Sequence, residues 1–198
     1  MKQLAIIFLF GILFIGCSSK TLPAMNKYTL DITNQYNTQA KTKQPYTIKI
    51  LEPTTSKLYN NTYIYYSYKP FTIYPYKINK WSDYPTKMIE QQLLQKLDSA
   101  NIYKAVTTSA INGKYDFILQ SELLQMVQII KDKKSYSVFK IKFYILDKNN
   151  ENIASKTFEY KIPNSTINAY GTVESYNKAL NKMINELFYW LENTTKEV

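Results

Sequence analysis

Residues 63–81 read YIYYSYKPFTIYPYKINKW, and residues 82–100 continue with SDYPTKMIEQQLLQKLDSA. Aromatic and aliphatic side chains alternate through the first part of this stretch, which predicts a strand because such residues suit a pleated surface. Lys69-Pro70 interrupts the strand, since proline has no amide proton for the ladder. The pattern resumes from Phe71 to Tyr76, so a hairpin and a bent strand both fit the break.

The spacing of apolar residues changes after Trp81 from two residues to three or four. The residues that recur with this helical spacing are Met88, Ile89, Leu93, Leu97 and Ala100. Asp83 is expected to cap the free amides of the first turn, and Pro85 fits that turn because its missing N–H is no loss there. The sequence therefore predicts an amphipathic helix that ends near Ala100.

Further strands are predicted on both sides of this unit. The alternating segments are residues 28–32, 46–50, 103–108, 115–130, 139–145 and 153–162. The segment 115–130 is long for a strand, with one apolar face made by Phe117, Leu119, Leu123, Val127 and Ile129. Asn112-Gly113 is the clearest signal for a tight turn.

A second helix is predicted at the end of the chain. Its apolar stripe consists of Val173, Tyr176, Leu180, Met183, Ile184, Leu187 and Leu191. Phe188, Tyr189 and Trp190 are adjacent, so they cannot all face inward, and one of them is expected to be exposed. The predicted order has several strands before each of the two helices, which differs from the strict alternation of strand and helix in a parallel α/β protein. We expect an α+β fold, with an antiparallel or mixed β-sheet and two amphipathic helices packed on one face.

The N-terminus has the pattern of a bacterial lipoprotein. The apolar run 4–15 is too short to span a bilayer and suits a signal-peptide core, and Gly16-Cys17 follows it. We interpret 1–16 as a lipoprotein signal peptide, Cys17 as the lipidated residue, 17–26 as a tether and 27–198 as one domain. The alternative is an uncleaved anchor in which Cys17 is an ordinary apolar residue. Ser18 is not the aspartate that retains some lipoproteins at the inner membrane, which favours the outer membrane.

The composition is basic and rich in tyrosine. The formal net charge is +10, all 25 basic residues are lysine, and there are 19 tyrosines. Two explanations of this balance carry equal weight. A genome that favours AT-rich codons can produce it, and so can selection for attraction to anionic lipid headgroups. Nucleic acid is the usual partner of basic residues interleaved with aromatics, but export argues against it.

Few side chains are available for catalysis. The chain has no histidine, which excludes serine–histidine and cysteine–histidine nucleophiles and histidine-based zinc sites. Glu90 with Asp98, and Asp116 with Glu122, could form carboxylate pairs, but exposed charged positions explain these residues better. We expect no enzymatic activity, no metal site and no cofactor.

The element order and one local motif resemble a known family, the auxiliary lipoproteins of ABC-type intermembrane lipid transporters, which are partners of MCE-domain proteins. The residues that carry the resemblance are Ile64, Tyr65, Tyr66, Tyr74, Tyr76, Trp81, Pro85, Leu93 and Leu97. Tyr84 stands where family members usually have a second proline. The resemblance implies a non-catalytic component that docks the transporter to the outer membrane, faces the periplasm and meets an MCE-domain protein, with phospholipid passing near it.

Four residues are candidates for contact with a partner or a lipid: Tyr74, Tyr76, Trp81 and Tyr84. Tyrosine and tryptophan suit such surfaces because one end is apolar and the other can stay wet. For Trp81 the favoured interpretation is a core side chain that fixes the corner between strand and helix. Two other functions stay open, a structural assembly lipoprotein of another outer-membrane complex and an envelope ligand-binding module. A homo-oligomer is a further open alternative.

Overall fold

The computed structural model of the protein describes residues 23–32, 40 and 42–196. Two helices and nine strands follow one another in that part of the chain. In order they are β1 (Asn26–Tyr28), β2 (Gln44–Ile50), β3 (Thr54–Thr55), β4 (Tyr63–Ser67), β5 (Tyr74–Trp81), α1 (Pro85–Ser99), β6 (Tyr103–Thr108), β7 (Phe117–Lys131), β8 (Lys134–Asp147), β9 (Asn152–Pro163) and α2 (Ala169–Thr194). The fold is α+β with one mixed sheet, which confirms the prediction.

The long strand β7 organises the sheet. Along one edge it pairs antiparallel with β8, which in turn pairs antiparallel with β9. Along its other edge it pairs with β2, then β3, then β4, all of them parallel to it. The sheet continues through β6 beside β2 and through β5 and β1 beside β4.

The core lies between one face of this sheet and the two helices. Alternate side chains of β8 point into it, and Phe139, Ile141, Phe143 and Ile145 are fully buried. Helix α2 packs on β8 and β9, and α1 packs on β6 and β2. All seven residues of the predicted stripe on α2 are buried, and Tyr189 is the exposed member of its aromatic group. Among the described residues no helix is both long enough and apolar enough to cross a bilayer.

The aromatic stretch forms a hairpin, since β4 and β5 pair antiparallel. Pro85 is the first residue of α1, as predicted, but the capping role expected of Asp83 is wrong. The N-cap position is Tyr84, and the Asp83 carboxylate accepts a hydrogen bond from the Tyr84 amide at 2.7 Å. Because the Asp83 carboxylate bonds the amide of the neighbouring Tyr84, it does not reach the amides of the first helical turn.

The predicted apolar face of β7 is interrupted by a bulge. Leu123 pairs with Ile141 and Gln125 with Lys140, so Leu124 is an extra residue without a partner on β8. A single inserted residue moves every later side chain to the opposite face of the sheet. Val127 and Ile129, which were expected beside Leu123, therefore lie on the face away from the helices.

Two other local predictions also differ. The first strand ends at Tyr28 and does not reach Ile32, because side chains of the helices accept from the amides near its predicted end. The Asp31 N–H donates to Asn177 Oδ1 at 2.8 Å and the Ile32 N–H to Gln92 Oε1 at 3.0 Å. Asn112-Gly113 is not a tight turn. Strands β6 and β7 flank β2 on opposite sides and both run parallel to it, so the connection 109–116 has to cross β2.

Candidate functional site

Four tyrosines of the β4–β5 hairpin stack on one of its faces. Tyr66 lies 4.9 Å from Tyr76 and 5.7 Å from Tyr74, measured between ring centroids. Tyr68 lies 5.0 Å from Tyr74 with the two rings 10° from parallel. We call these residues the tyrosine cluster. Tyr68, next to the turn of the hairpin, is exposed, and the other three are half-buried.

The inner end of the tyrosine cluster is fixed to the sheet. The Tyr76 hydroxyl donates to Gln128 Oε1 at 2.6 Å, and Gln128 is fully buried on β7. Burial raises the pKa of Tyr76 above its ordinary value. At the outer end, the interaction between the two hydroxyls raises the pKa of Tyr68 and lowers that of Tyr74. The cluster is thus rigid at its base and polar at its exposed edge.

The turn of the hairpin exposes apolar side chains. We call residues 68–73 the tip loop; Phe71 is fully exposed there, and Tyr68 and Ile73 are exposed as well. The loop is ordered by hydrogen bonds, because Ser67 Oγ and Thr72 Oγ1 both donate to the Lys69 carbonyl at 2.9 Å. The tip loop therefore holds a phenyl ring out in solvent.

The conformation and the exposure of Phe71 both cost free energy as long as no partner covers its ring. Its φ of 62° is left-handed, which costs a side-chain-bearing residue about 1–2 kcal/mol. Leaving its ring in water also forgoes the roughly 1.5–3 kcal/mol that burial of such a side chain provides. Strained residues and exposed apolar patches concentrate at functional sites. The tip loop is for these reasons the strongest candidate for a contact surface.

A groove of about 580 Å³ lies behind the tip loop, on the sheet face away from the helices. Residues 67–73 form one wall, and Val127, Ile129 and Lys131 of β7 contribute to the other. The bulge at Leu124 creates this wall, since it turns Val127 and Ile129 to this face of the sheet, where Val127 is buried and Ile129 is half-buried. The groove has mostly apolar walls and a basic rim.

A second cavity, of about 330 Å³, lies between α2 and the segment that follows β1. Asp31, Glu174, Asn177 and Lys178 are among its lining residues, so its walls carry charged and amide groups. Glu174 and Lys178 already pair with each other at 3.0 Å. This cavity offers less apolar surface than the groove, and we do not consider it the main site.

The predicted contact residues occupy three different environments. Tyr74 and Tyr76 belong to the tyrosine cluster. Trp81 is only 2% exposed and packs against Tyr176 with 5.9 Å between ring centroids, so it lies in the core, where it has no surface for a partner. Tyr84 is 39% exposed, with Lys87 Nζ 5.6 Å from its ring centre. It follows the end of β5, a strand about 23 Å long, and is therefore far from Tyr74.

Phe71 and Ile73 were not identified as contact residues from the sequence. The pattern FTIYPY resumes the alternation after Pro70, which led to the expectation of a strand from Phe71 onward. In the structure β5 begins only at Tyr74. The signal that could have identified the tip loop is an aromatic residue directly after Lys-Pro, where the chain must turn. Cys17 and most of the tether lie outside the described residues.

The candidate carboxylate pairs do not form. Glu90 and Asp98 are eight residues apart on α1, or about 12 Å along its axis. The Asp116 carboxylate accepts a hydrogen bond from the Thr47 amide at its Oδ2, at 2.7 Å. Glu122 lies six residues further along the chain, on β7. Partial burial, followed by the charge of Glu52, raises the pKa of Glu90. Within residues 23–32, 40 and 42–196, no three acidic, histidine or cysteine side chains gather as a metal site would need.

Comparison with known families gives a match over most of the chain. A family model described as "ABC-type transport auxiliary lipoprotein component" matches residues 28–187, which include every element from β2 to β9 and most of α2. No curated protein sequence matches the chain.

Several solved structures have a similar fold. The crystal structure of protein XCC0632 from Xanthomonas campestris superposes with a TM-score of 0.72 at 16% identity, covering 81% of this chain and 92% of that one. An uncharacterized protein gives a TM-score of 0.67 at 8% identity, covering 85% and 99%. The hypothetical protein CT253 from Chlamydia trachomatis gives 0.53 at 9% identity, covering 77% and 98%. At these identities the likeness concerns the fold alone.

Proposed function

Because the chain belongs to the family of ABC-type transport auxiliary lipoprotein components, we propose that it is the non-catalytic outer-membrane partner of an MCE-type lipid transporter. In this proposal the acyl chains on Cys17 hold the protein to the inner leaflet of the outer membrane, with the domain facing the periplasm. It docks the MCE-domain protein there, and ATP hydrolysis belongs to another subunit. The family match across 28–187 is the observation that carries the proposal.

The chemistry of the described residues supports a docking role without catalysis. The chain has no histidine, and its only cysteine is the one assigned to the anchor. The exposed surface offers aromatic and apolar contacts instead, in the tyrosine cluster and the tip loop. Aromatic residues dominate the energy of protein interfaces and also suit the boundary between water and lipid.

Direct contact with phospholipid is the finer part of the proposal. The groove behind the tip loop has the size of a small-molecule site, for which about 300–1,000 Å³ is typical. Its walls include Val127, Ile129 and Ile73, which suit an acyl chain, and Lys69 and Lys131 could pair with a phosphate. We expect phospholipid to co-purify with the protein after gentle extraction. If none does, the proposal is reduced to docking.

The anchor has its own test. Replacing Cys17 by alanine removes the only thiol in the chain, so we expect incorporation of a fatty-acid probe to fall to background. Stable anchoring needs at least two acyl chains, and the variant should therefore leave the membrane fraction. Ser19→Ala, two residues along, is the matched control and should label normally. Unchanged labelling of the Cys17 variant would exclude acylation at this residue.

Docking is tested by isolating the full chain from membranes under mild detergent. We expect an MCE-domain protein to be recovered with it, and to be lost when Tyr74 of the tyrosine cluster is replaced by serine. A Tyr189→Ser variant is the control, because Tyr189 is an exposed aromatic residue that lies near the end of α2. Recovery of a secretin or a barrel assembly in place of an MCE protein would instead indicate the structural role.

A further inference from the structure

Three connections of the chain meet at one end of the sheet. They are the tip loop, the β7–β8 turn and residues 164–168, which join β9 to α2. Pairing places them together, because Ser67 lies beside Ile129 on β7, and Tyr136 near the start of β8 lies beside Pro163. We call this the tip end. The turn between β8 and β9 lies at the opposite end of β8, about 43 Å away along the strand.

The tip end concentrates exposed apolar side chains. Those contributed by its three connections and the first turn of α2 are Tyr68, Phe71, Ile73, Ile167 and Tyr170. Single exposed apolar residues are ordinary on protein surfaces, but a group of them on adjoining loops indicates an interaction site. Phe71 is the most exposed of the five.

Two of the three connections also carry exposed lysines. Lys69 lies in the tip loop, and the β7–β8 turn contributes Lys131, Lys133 and Lys134 around a single acid, Asp132. Asp132 and Lys133 have left-handed φ values of 49° and 57°, which give a two-residue turn of type I′. All four lysines are exposed. The tip end thus combines aromatic and aliphatic groups with a net positive charge.

The described N-terminal segment also leads toward the tip end. Strand β1 runs parallel to β5, with Asn26 opposite Asn79, so the chain before Asn26 approaches the end of β5 where Tyr74 lies. Asn26 lies nine positions after Cys17, a distance of at most about 30 Å, which is more than the roughly 17 Å from Asn79 to Tyr74. This step rests on the proposed acylation of Cys17. Under it, the anchor can reach the membrane that the tip end faces.

From these features we infer that the tip end is a second membrane contact, in which Phe71 enters the interface of an anionic bilayer while the four lysines bind its headgroups. Aromatic residues partition to the headgroup level, and each lysine near an anionic surface adds attraction. A second copy of the chain is a less suitable occupant, because it would bring four more lysines against these four. The anchor and the tip end together would fix the domain's orientation on the membrane.

Fluorescence on proteoliposomes tests this inference. Pro70→Cys in the tip loop and Lys148→Cys in the β8–β9 turn are each labelled with a polarity-sensitive dye, in the full acylated chain whose only native cysteine is Cys17. The vesicles contain phosphatidylethanolamine with phosphatidylglycerol, or phosphatidylcholine alone, and a spin label in the acyl region. We expect the dye at position 70 to shift to shorter wavelength and be quenched in the anionic vesicles, and the dye at 148 to stay as in water.

Two variants separate the contributions of charge and ring. Replacing Lys131, Lys133 and Lys134 by glutamate should abolish the shift on anionic vesicles. Phe71→Gly removes the ring but suits the left-handed backbone, so it should raise the midpoint of thermal unfolding and yet weaken quenching about tenfold. Because this variant is expected to fold better than the native chain, a loss of quenching cannot be attributed to unfolding.

The anchor and the tip end give separate results. Flotation of the protein with the vesicles measures anchorage. If the protein does not float with them, acylation of Cys17 is contradicted. In that case the dye spectra are measured with anionic lipid in excess, so that the tip end can still bind without the anchor. Equal spectra from positions 70 and 148 on anionic vesicles would overturn the membrane contact. A shift that appears in detergent and grows with protein concentration would overturn it too, and would indicate contact between copies.

Discussion

Replacing Trp81 by alanine is expected to lower the free energy of unfolding by about 3–5 kcal/mol. Trp81 is 2% exposed and ends β5, where its amide donates to the Thr62 carbonyl at 2.8 Å. Its ring packs on Tyr176 of α2, so it joins the hairpin to the helix across the core. Domains of this size are stable by only about 5–15 kcal/mol in total. Urea unfolding of the detergent-solubilised chain, followed by circular dichroism, measures the loss.

Two further variants decide whether the effect comes from the core. Trp81→Phe keeps an aromatic ring and should lose clearly less than the alanine variant, while Tyr84→Ala changes an exposed aromatic three residues on and should stay within about 0.5 kcal/mol. If Tyr84→Ala lowered the free energy of unfolding as much as Trp81→Ala, the junction between β5 and α1 would be stabilised by the start of the helix and not by the core. A neutral Trp81→Ala would contradict the buried position.

Residues whose surroundings follow from local spacing were predictable from the sequence. Phe139, Ile141, Phe143 and Ile145 alternate strictly, and one strand register is enough to bury all four. The stripe on α2 is similar, because a helix places residues three and four apart on one face whatever the rest of the chain does. The α+β class followed from the order of such segments, without knowledge of which strands pair.

Features that depend on distant partners were not predictable in this way. The amides of Asp31 and Ile32 leave the sheet because side chains of α1 and α2 accept their hydrogen bonds. The face of Val127 and Ile129 depends on the bulge at Leu124, which is defined only relative to β8. For the candidate site the consequence is direct, since the groove exists because of that bulge. The exposure of Phe71 likewise depends on where β5 begins to pair with β4.

Replacing Gly171 by alanine is expected to destabilise the protein by about 1–3 kcal/mol, although alanine is the better helix former by about 1 kcal/mol. Gly171 is in the first turn of α2, and a Cβ there would lie 2.5 Å from Thr166 Oγ1, 2.6 Å from the Thr166 carbonyl oxygen and 2.7 Å from its amide nitrogen. Two of these three atoms belong to the backbone. Relief therefore requires movement of the chain before the helix and not a change of one rotamer.

That movement would also disturb the cap of α2. The Asn168 carboxamide oxygen accepts from the Gly171 amide at 3.0 Å and from Thr166 Oγ1 at 2.8 Å, so displacing Thr166 removes support from the residue that caps the helix. Thr166→Ala in the Gly171→Ala background should recover only part of the loss, because the backbone contacts remain.

Gly113→Ala is the matched control for this change. A Cβ at Gly113 would meet no atom within 4 Å, and the residue does not have a positive φ. Alanine should therefore stabilise the protein by about 0.4–1 kcal/mol, because it lowers the conformational entropy of the unfolded chain. Opposite signs for the same substitution, measured by urea unfolding, would show that close approach and not helix propensity decides the outcome at Gly171. If both variants were stabilised, α2 would not begin as close to Thr166 as the structure has it. The position of the tip end relative to α2 would then need revision, because residues 164–168 make that connection.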